Sequence, residues 1–529
     1  MTVSLTDKVT YKRLIAAANS KFYYEDISVA GTMTELAAAD GTIDTTDQLV
    51  MFEGFQKCFI VNGANLKVAD FINTKLTHTA LATAHAKGDV LTQATSGATM
   101  VVDFTTTAKT ATYGYVTSGT FTTAYQVTGS GSGTAFTPSA VTAKPHWYDW
   151  TVYPGGASGS MPAKAYLGCL YRGRAVLSGN PNYPYQWYMS RQANPWDWAY
   201  AANDAQSPVA GGNSDAGELG DIIRALIPYR DEYMLFGCAN SLWVLRGDPA
   251  SGGSLDEVDL TVGMFGSHSW CFDGQGNIYF MSRTGIHKLP SNLAGVQPIS
   301  EPILPNLSTD EAFDPTTHRV LLGYDADRYG ILVCITTLAS GVNSNYFYDL
   351  RTEGLYPETY PSACGAYSLF YYSANDDDYK GLLVGGTDGY IRVFDETEKN
   401  DVGTSTDSTI TSHVTLPILQ NDDDDRELRL TSFTITTAGG AASGAESDTD
   451  AVTLNFYTGE DAETVVESIE DSDTPHTTVE ITGTGRQNRI RSRVRGHSIG
   501  VELKNSTTDS TWAVERVSAE VEGVGKVRD

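Results

Sequence analysis

The sequence has few of the features by which enzymes and membrane proteins are usually recognised. Neither H-E-x-x-H nor G-x-x-x-x-G-K-[ST] occurs, no nucleophile elbow is read, and the nine histidines are scattered. These absences predict no catalytic residue, metal or cofactor. The six cysteines, Cys58, Cys169, Cys238, Cys271, Cys334 and Cys364, lie far apart without a C-x-x-C pair. Most sit in apolar runs such as YMLFGCANSLW, which predicts buried thiols of a protein made in a reducing cytoplasm. No run approaches the ~18 apolar residues of a membrane span. The stretch LIAAA after Lys8, Lys12 and Arg13 is broken by Asn19 and is too short for a signal peptide. Basic charge is also scarce: 36 Lys and Arg face 64 Asp and Glu, a formal charge of −28. The average surface then repels nucleic acid and anionic membranes, so any approach to DNA is local or merely tolerated.

What is present is Gly, Ser, Thr and Tyr, the composition of short strands and turns. In FQKCFIVNGANLKVADF two apolar runs flank Asn62-Gly63, a hairpin signal because both residues tolerate positive φ. The plan returns in YLGCLYRGRAVLSGN, EYMLFGCANSLWVLRG, SWCFDGQGNIYFMS, YDADRYGILVCI and KGLLVGGTDGYIRVFD. Loose repeats of this kind predict an all-β fold, an irregular β-propeller of about six blades. Residues 1–48 read as an extended arm, with apolar spacing over 9–22 that permits a short helix. The first propeller strands fall in 49–75 and the main propeller in 146–405. Between them, 76–145 are rich in Thr, Gly and Ala and nearly uncharged, which predicts a small inserted β module. The composition shifts again after Asp395, and 406–529 form a β-rich C-terminal region, either a sandwich or the closing blades.

Three constellations bear on function. Arg246-Gly247-Asp248, within SLWVLRGDPASGG, has the spelling of an adhesion signal, yet alternation up to Arg246 and the Asp248-Pro249 step predict the end of a strand and its turn. The acidic runs Asp376, Asp377, Asp378 and Asp422, Asp423, Asp424, Asp425 lack the spaced ligands and Gly of a calcium loop and read as solvated tips, with a weak cation site as the lesser alternative. In RQNRIRSRVRG the four residues Arg489, Arg491, Arg493 and Arg495 alternate, which on one strand puts four guanidiniums on one face. That face is either a strip contacting DNA phosphates or an acidic neighbour, for which the Asp422 to Asp425 run of another copy or of a channel wall is the candidate, or an ordinary solvent face.

The phrases SRQANPWDW, GELGDIIRALIPYRDEYMLFGCANSLWVLRGDPASGG and GNIYFMSRTGIHKL resemble the β-propeller tail nozzle or hub proteins of short-tailed bacteriophages. The run 485–526, with its arginines and Trp512, looks like the closing segment of the same group. The likeness covers 49–71 and 161–529 discontinuously and leaves the inserted module outside. It implies a structural virion protein rather than an enzyme: a subunit of a hexameric ring in the virion tail, made in the bacterial host cytoplasm. Its partners would be further copies, the portal and adaptor, other tail proteins, and viral DNA passing without sequence readout. An acidic channel wall would let the DNA slide, whereas a basic one would hold it through many phosphate contacts.

Two other readings stand beside it. One is a distal tail or fibre protein touching the host surface through the Thr/Gly-rich insertion. The other is a glycan-processing propeller enzyme, for which Arg172, Arg224, Arg230 and Arg283 supply arginines without a recognisable spacing.

Overall fold

The computed structural model describes residues 2–4, 10–26, 31–154, 161–200, 204–213, 217–395, 399–401, 407–420, 426–437, 450–481, 487–491 and 493–525. The fold is all-β; among the described residues the α-helices are Leu307–Asp310 and Ala462–Glu470. The chain divides into two compact units, residues 1–394 and 395–529.

The first unit is a succession of sheets that are antiparallel except where Ala37–Ala38 pairs in parallel with His146–Asp149. The first sheet comprises Ile15–Ala18, Lys21–Glu25 and Met33–Glu35, where the sequence predicted an arm with a short helix. The small side chains of Ile15–Ala18 carry no alternation, so pairing with Lys21–Glu25 rather than local pattern makes this strand. The second sheet sets Val50–Gly54, Lys57–Asn62, Asn65–Asp70 and His146–Asp149 side by side, with Ala37–Ala38 at its edge. Its hairpin turns at Gly63, whose φ of +83° suits glycine.

Four meanders of four strands follow. They begin at Leu167–Tyr171, Ile223–Tyr229, Trp270–Phe272 and His318–Asp325. A three-stranded sheet of Ala366–Tyr372, Gly381–Gly386 and Ile391–Val393 ends the series. Beside the inserted module and a two-stranded ribbon of Thr2–Ser4 and Thr10–Lys12, the described residues of the unit hold seven sheets in series; six contain the hairpin repeats read from the sequence, and the first lies in the residues read as an arm.

Each sheet packs on the next through apolar side chains. Phe22 and Trp147 join first to second, Phe59 and Leu177 second to third, and Trp187 and Phe236 third to fourth. Leu235 and Phe280, Tyr279 and Val333, then Leu321 and Leu382 continue the pattern. The seventh sheet and the loop after its first strand meet the first sheet and the ribbon of Thr2–Ser4 and Thr10–Lys12 by hydrogen bonds instead. Tyr372 Oη donates to Glu25, Lys12 Nζ donates to Ser373 Oγ at 2.8 Å, and Lys12 and Asn375 exchange backbone–amide bonds at 3.1 and 3.0 Å.

The module is inserted between two strands that pair directly with each other, Asn65–Asp70 and His146–Asp149. It is a six-stranded sheet running from Thr74–Thr77 to Ala140–Thr142. Its glycines serve close packing: a Cβ on Gly133 would lie 2.1 Å from His85 Nδ1, and one on Gly131 2.4 Å from the Asp89 carboxylate.

In the second unit two sheets share one core. Leu430, Phe433 and Ile435 of the strand Glu427–Thr437 meet Leu454 and Phe456 of Val452–Gly459 and Val501 and Leu503 of Ser498–Asn505. This is the face-to-face packing of a sandwich. Helix Ala462–Glu470 is capped by Asp461, whose Oδ1 accepts from Thr464 N at 2.7 Å.

Candidate functional site

The arginine strip runs beside Glu427–Thr437 in two pieces rather than as one strand. Gln487–Ile490 pairs with residues 433–436, and Arg495–Gly496 with Leu428 and Arg429. Between them the chain turns inward: Arg493 has φ +53°, Val494 is fully buried, and the Val494 carbonyl accepts from Leu430 N at 2.9 Å. All four arginines are nonetheless exposed. Arg489 pairs with Glu520 at 2.8 Å and Arg495 pairs with Glu427. Two of the four charges are thus partly met within the unit, while Arg491 and Arg493 project from the irregular stretch. The proposed acidic counterpart, Asp422, Asp423, Asp424 and Asp425, lies outside the described residues.

The Arg246-Gly247-Asp248 tripeptide is a turn anchored to the core. Gly247 has φ +74°. Asp248 Oδ1 accepts from Ala250 N at 2.9 Å, capping the short turn Pro249–Ser251. Its Oδ2 receives Arg174 Nη2 at 3.2 Å. Arg174 is wholly buried and also donates to the carbonyls of Ser190, Ala205, Gln206 and Ser207. Burial pulls the guanidinium pKa below its usual value, and Asp248 opposes that pull. An aspartate committed to a buried arginine and to a cap is not a free adhesion ligand.

SRQANPWDW, which carries much of the resemblance, also builds a joint. The Pro195 carbonyl accepts from the indoles of Trp150 at 3.1 Å and Trp198 at 3.0 Å, while Trp196 stacks on Tyr153 with centroids 3.8 Å apart. The tryptophans thereby lock the second sheet to the third.

A buried ionic network at the base of the module escaped the sequence analysis. Lys57 Nζ lies 3.1 Å from Asp70 and 3.6 Å from Asp103; Asn73 Nδ2 donates to both carboxylates at 2.9 Å, and Tyr148 Oη donates to Asp70 at 3.1 Å. Burial alone would raise the Asp70 pKa. Lys57, His146 and the N–H groups of Asn73 and Ile72 outweigh it and hold the carboxyl below its usual range. The signal was present in charged residues inside otherwise apolar strands, Lys57 in FQKCFIV and Asp70 in LKVADF. Because Asp103 belongs to the module and Lys57 to the second sheet, the network fixes one on the other.

The four arginines of the glycan-enzyme reading do not converge. Arg172 donates to the Asp231 carbonyl at 2.9 Å and Arg230 lies over Tyr229, at one end of the strand Ile223–Tyr229. Arg224, at the other end, donates to Phe265 O at 3.3 Å and feels the charge of Arg283. Gly496-His497-Ser498-Ile499-Gly500 does have the G-x-S-x-G spacing, although no elbow was expected from the sequence. It is not an elbow: Ser498 opens a strand, is 1% exposed, and accepts from Gln420 Nε2 at 3.2 Å. Asp376 caps the turn Asp377–Tyr379 by accepting from Asp378 N at 3.2 Å. Among the described residues no three His, Cys, Asp or Glu side chains gather to hold a metal. None of the six cysteines forms a disulfide, and burial pushes the thiols of Cys58 and Cys238 up to about 12.

No known family matches the sequence, and no curated protein does. Among solved structures the chain has a likeness to an extracellular domain from Bacteroides thetaiotaomicron, at 9% identity and TM-score 0.28 over 98% of this chain and 80% of that one. It also has one to the tricorn protease, at 10% identity and TM-score 0.25 over 72% and 37%. A glycoside hydrolase follows at 9% identity and TM-score 0.20 over 67% and 96%. Likenesses this low carry no argument about activity.

Proposed function

We propose that this chain is a structural subunit of a virion tail, of the nozzle or hub kind, whose copies form a ring around a DNA channel. The seven sheets are read as propeller blades, with the module and the C-terminal sandwich as attachments. The observation that carries this reading is the placement of the resembling phrases. SRQANPWDW and LRGDPASGG are spent on joints between sheets, through the Pro195 carbonyl and the Arg174–Asp248 pair. Residues devoted to joints are what two proteins sharing an architecture have in common. A charge of −28 per subunit, repeated around a ring, suits a conduit that passes DNA without gripping it.

The second reading, a distal protein that contacts the host surface, draws on Tyr115 and Tyr125 of the module, which are 45% and 39% exposed. Mass spectrometry and cryo-electron microscopy of particles released from the producing host separate the two. A ring of this chain between the head and the tail tip supports the first; its presence only at the outer tip supports the second. Absence from the particles removes both.

A further inference from the structure

In the second unit the strand Val514–Val524 pairs with Glu427–Thr437 along one edge. Among the described residues no strand pairs with its other edge. It runs eleven residues without Pro or Lys. From Arg516 to Val524 it has no irregularity of its own; the one it carries falls at Glu515. An open edge of this length presents a ladder of unpaired N–H and C=O groups, which soluble proteins normally interrupt.

The side chains of this edge are uncovered as well. The register sets Val517, Ala519 and Val521 beside Ile435, Phe433 and Leu430, whose side chains fill the core. Yet Val521 is 46% exposed and Ala519 is exposed. The core sheet carries its apolar face out to this strand, and among the described residues of the unit nothing closes over the end of it.

The sequence of the strand is complementary to itself. Laid antiparallel on a second copy about Ala519, VERVSAEVEGV brings Arg516 opposite Glu522 twice and Val517 opposite Val521 twice, with Ser518 opposite Glu520. No like charges face each other. Directly opposed residues of antiparallel strands share a face, so the apolar side meets apolar and the charged side meets charged. Centring on Glu520 would set that carboxylate against its own copy, and centring on Ser518 would set Val521 against Glu515. Odd shifts would put valines against charges.

We propose that Val514–Val524 is a two-fold docking edge, on which two copies of the free chain join their C-terminal sandwiches into one continuous sheet centred on Ala519. The ladder of main-chain bonds provides affinity, and the paired Arg516–Glu522 contacts set the register. The contact is isologous, so it closes on two copies. It does not rest on the tail reading, because a two-fold contact alone builds no six-membered ring.

The test uses the full chain in light scattering after size-exclusion and in sedimentation velocity. The wild type is expected as a dimer that dissociates on dilution. Arg516→Glu and Glu522→Arg, each alone, should weaken it about tenfold or more by turning two attractive pairs repulsive, and the double exchange should restore it to within a few-fold. Melting curves of the four proteins separate lost pairing from lost folding. Ala519→Cys should give a disulfide-linked dimer under mild oxidation, since directly opposed Cα atoms lie ~4.5–5.5 Å apart, within disulfide reach. Glu515→Cys, opposite Gly523 in this register, should not. A wild type that stays monomeric at every concentration overturns the proposal. So does a dimer indifferent to the charge cycle, or cross-linking equal at the two cysteines.

Discussion

Two kinds of joint hold the seven sheets of the first unit, and the difference between them is instructive. Between the third and fourth sheets Trp187, Met189, Met234 and Phe236 interlock with no exposure at all. Between the seventh sheet and the start of the unit, Tyr372 reaches Glu25 of the first sheet while Lys12, on the ribbon before it, holds Ser373 and Asn375. The apolar joint depends on volume and shape and resists salt. The polar joint draws on hydrogen bonds that water can replace, each worth only ~0.5–1.5 kcal/mol net, or ~1.5–3 kcal/mol to a charged partner. Dispersion and area favour the first kind, and reversibility favours the second. The place where the end of the unit meets its beginning is therefore where the first unit should open with least cost.

The largest expected effect is at an apolar joint. Phe236→Ala removes a fully buried ring and should cost about 3–5 kcal/mol, read as a lower midpoint in chemical denaturation of the whole first unit. A loss below 1 kcal/mol would mean that the joints are not the strong element.

Next is acid. Burial depresses the pKa of His78, His85, His146, His268 and His287, and that of His268 falls to about 4. A histidine held neutral in the fold leaves the unfolded chain to take up the proton. The stability tied to it is present above the ordinary value of 6.5 and is lost as pH falls from 6.5 toward 4. The backbone carbonyl of His268 accepts from Leu322 N at 3.1 Å, at the junction of the fifth and sixth sheets. Calorimetry at neutral pH and near pH 4.5 should show a falling melting temperature. Hydrogen exchange at the lower pH should show Leu322 losing protection along with the bulk; if strands 15–25 alone lose it, acid acts at the polar joint and not through the buried histidines.

The smallest effect is at the polar joint. Tyr372→Phe removes one hydrogen bond to the Glu25 carboxylate and should cost ~1.5–3 kcal/mol locally, visible as faster exchange in Ile15–Ala18 and Lys21–Glu25 with little change in the global midpoint. A global loss equal to that of Phe236→Ala would erase the distinction.

Local chemistry made most of the fold legible. The turn Arg172-Gly173 in YLGCLYRGRAVLSGN takes positive φ at both residues, +48° and +70°, and joins Leu167–Tyr171 to Arg174–Asn180, as a two-residue hairpin requires. Alternation and glycine carry that information within a dozen residues. The first sheet was hidden because IAAA takes its strand character from a neighbour, not from its own pattern. The arginine strip was legible as four exposed charges but not as a broken strand, since nothing in RQNRIRSRVRG foretells that Val494 is drawn into the core. The Lys57–Asp70–Asp103 network could not be assembled from sequence because its members come from three separate strands, although each charge inside an apolar run was a warning.

The insertion between Asn65–Asp70 and His146–Asp149 leaves Asp70 and His146 as direct cross-strand neighbours. The chain departs and returns at almost one point, so the second sheet is indifferent to how many residues are spent outside it. Such a position works as a graft socket for a folded domain with adjacent termini, provided the newcomer also answers Lys57 and covers the apolar face that Phe104 and Tyr113 of this module now fill.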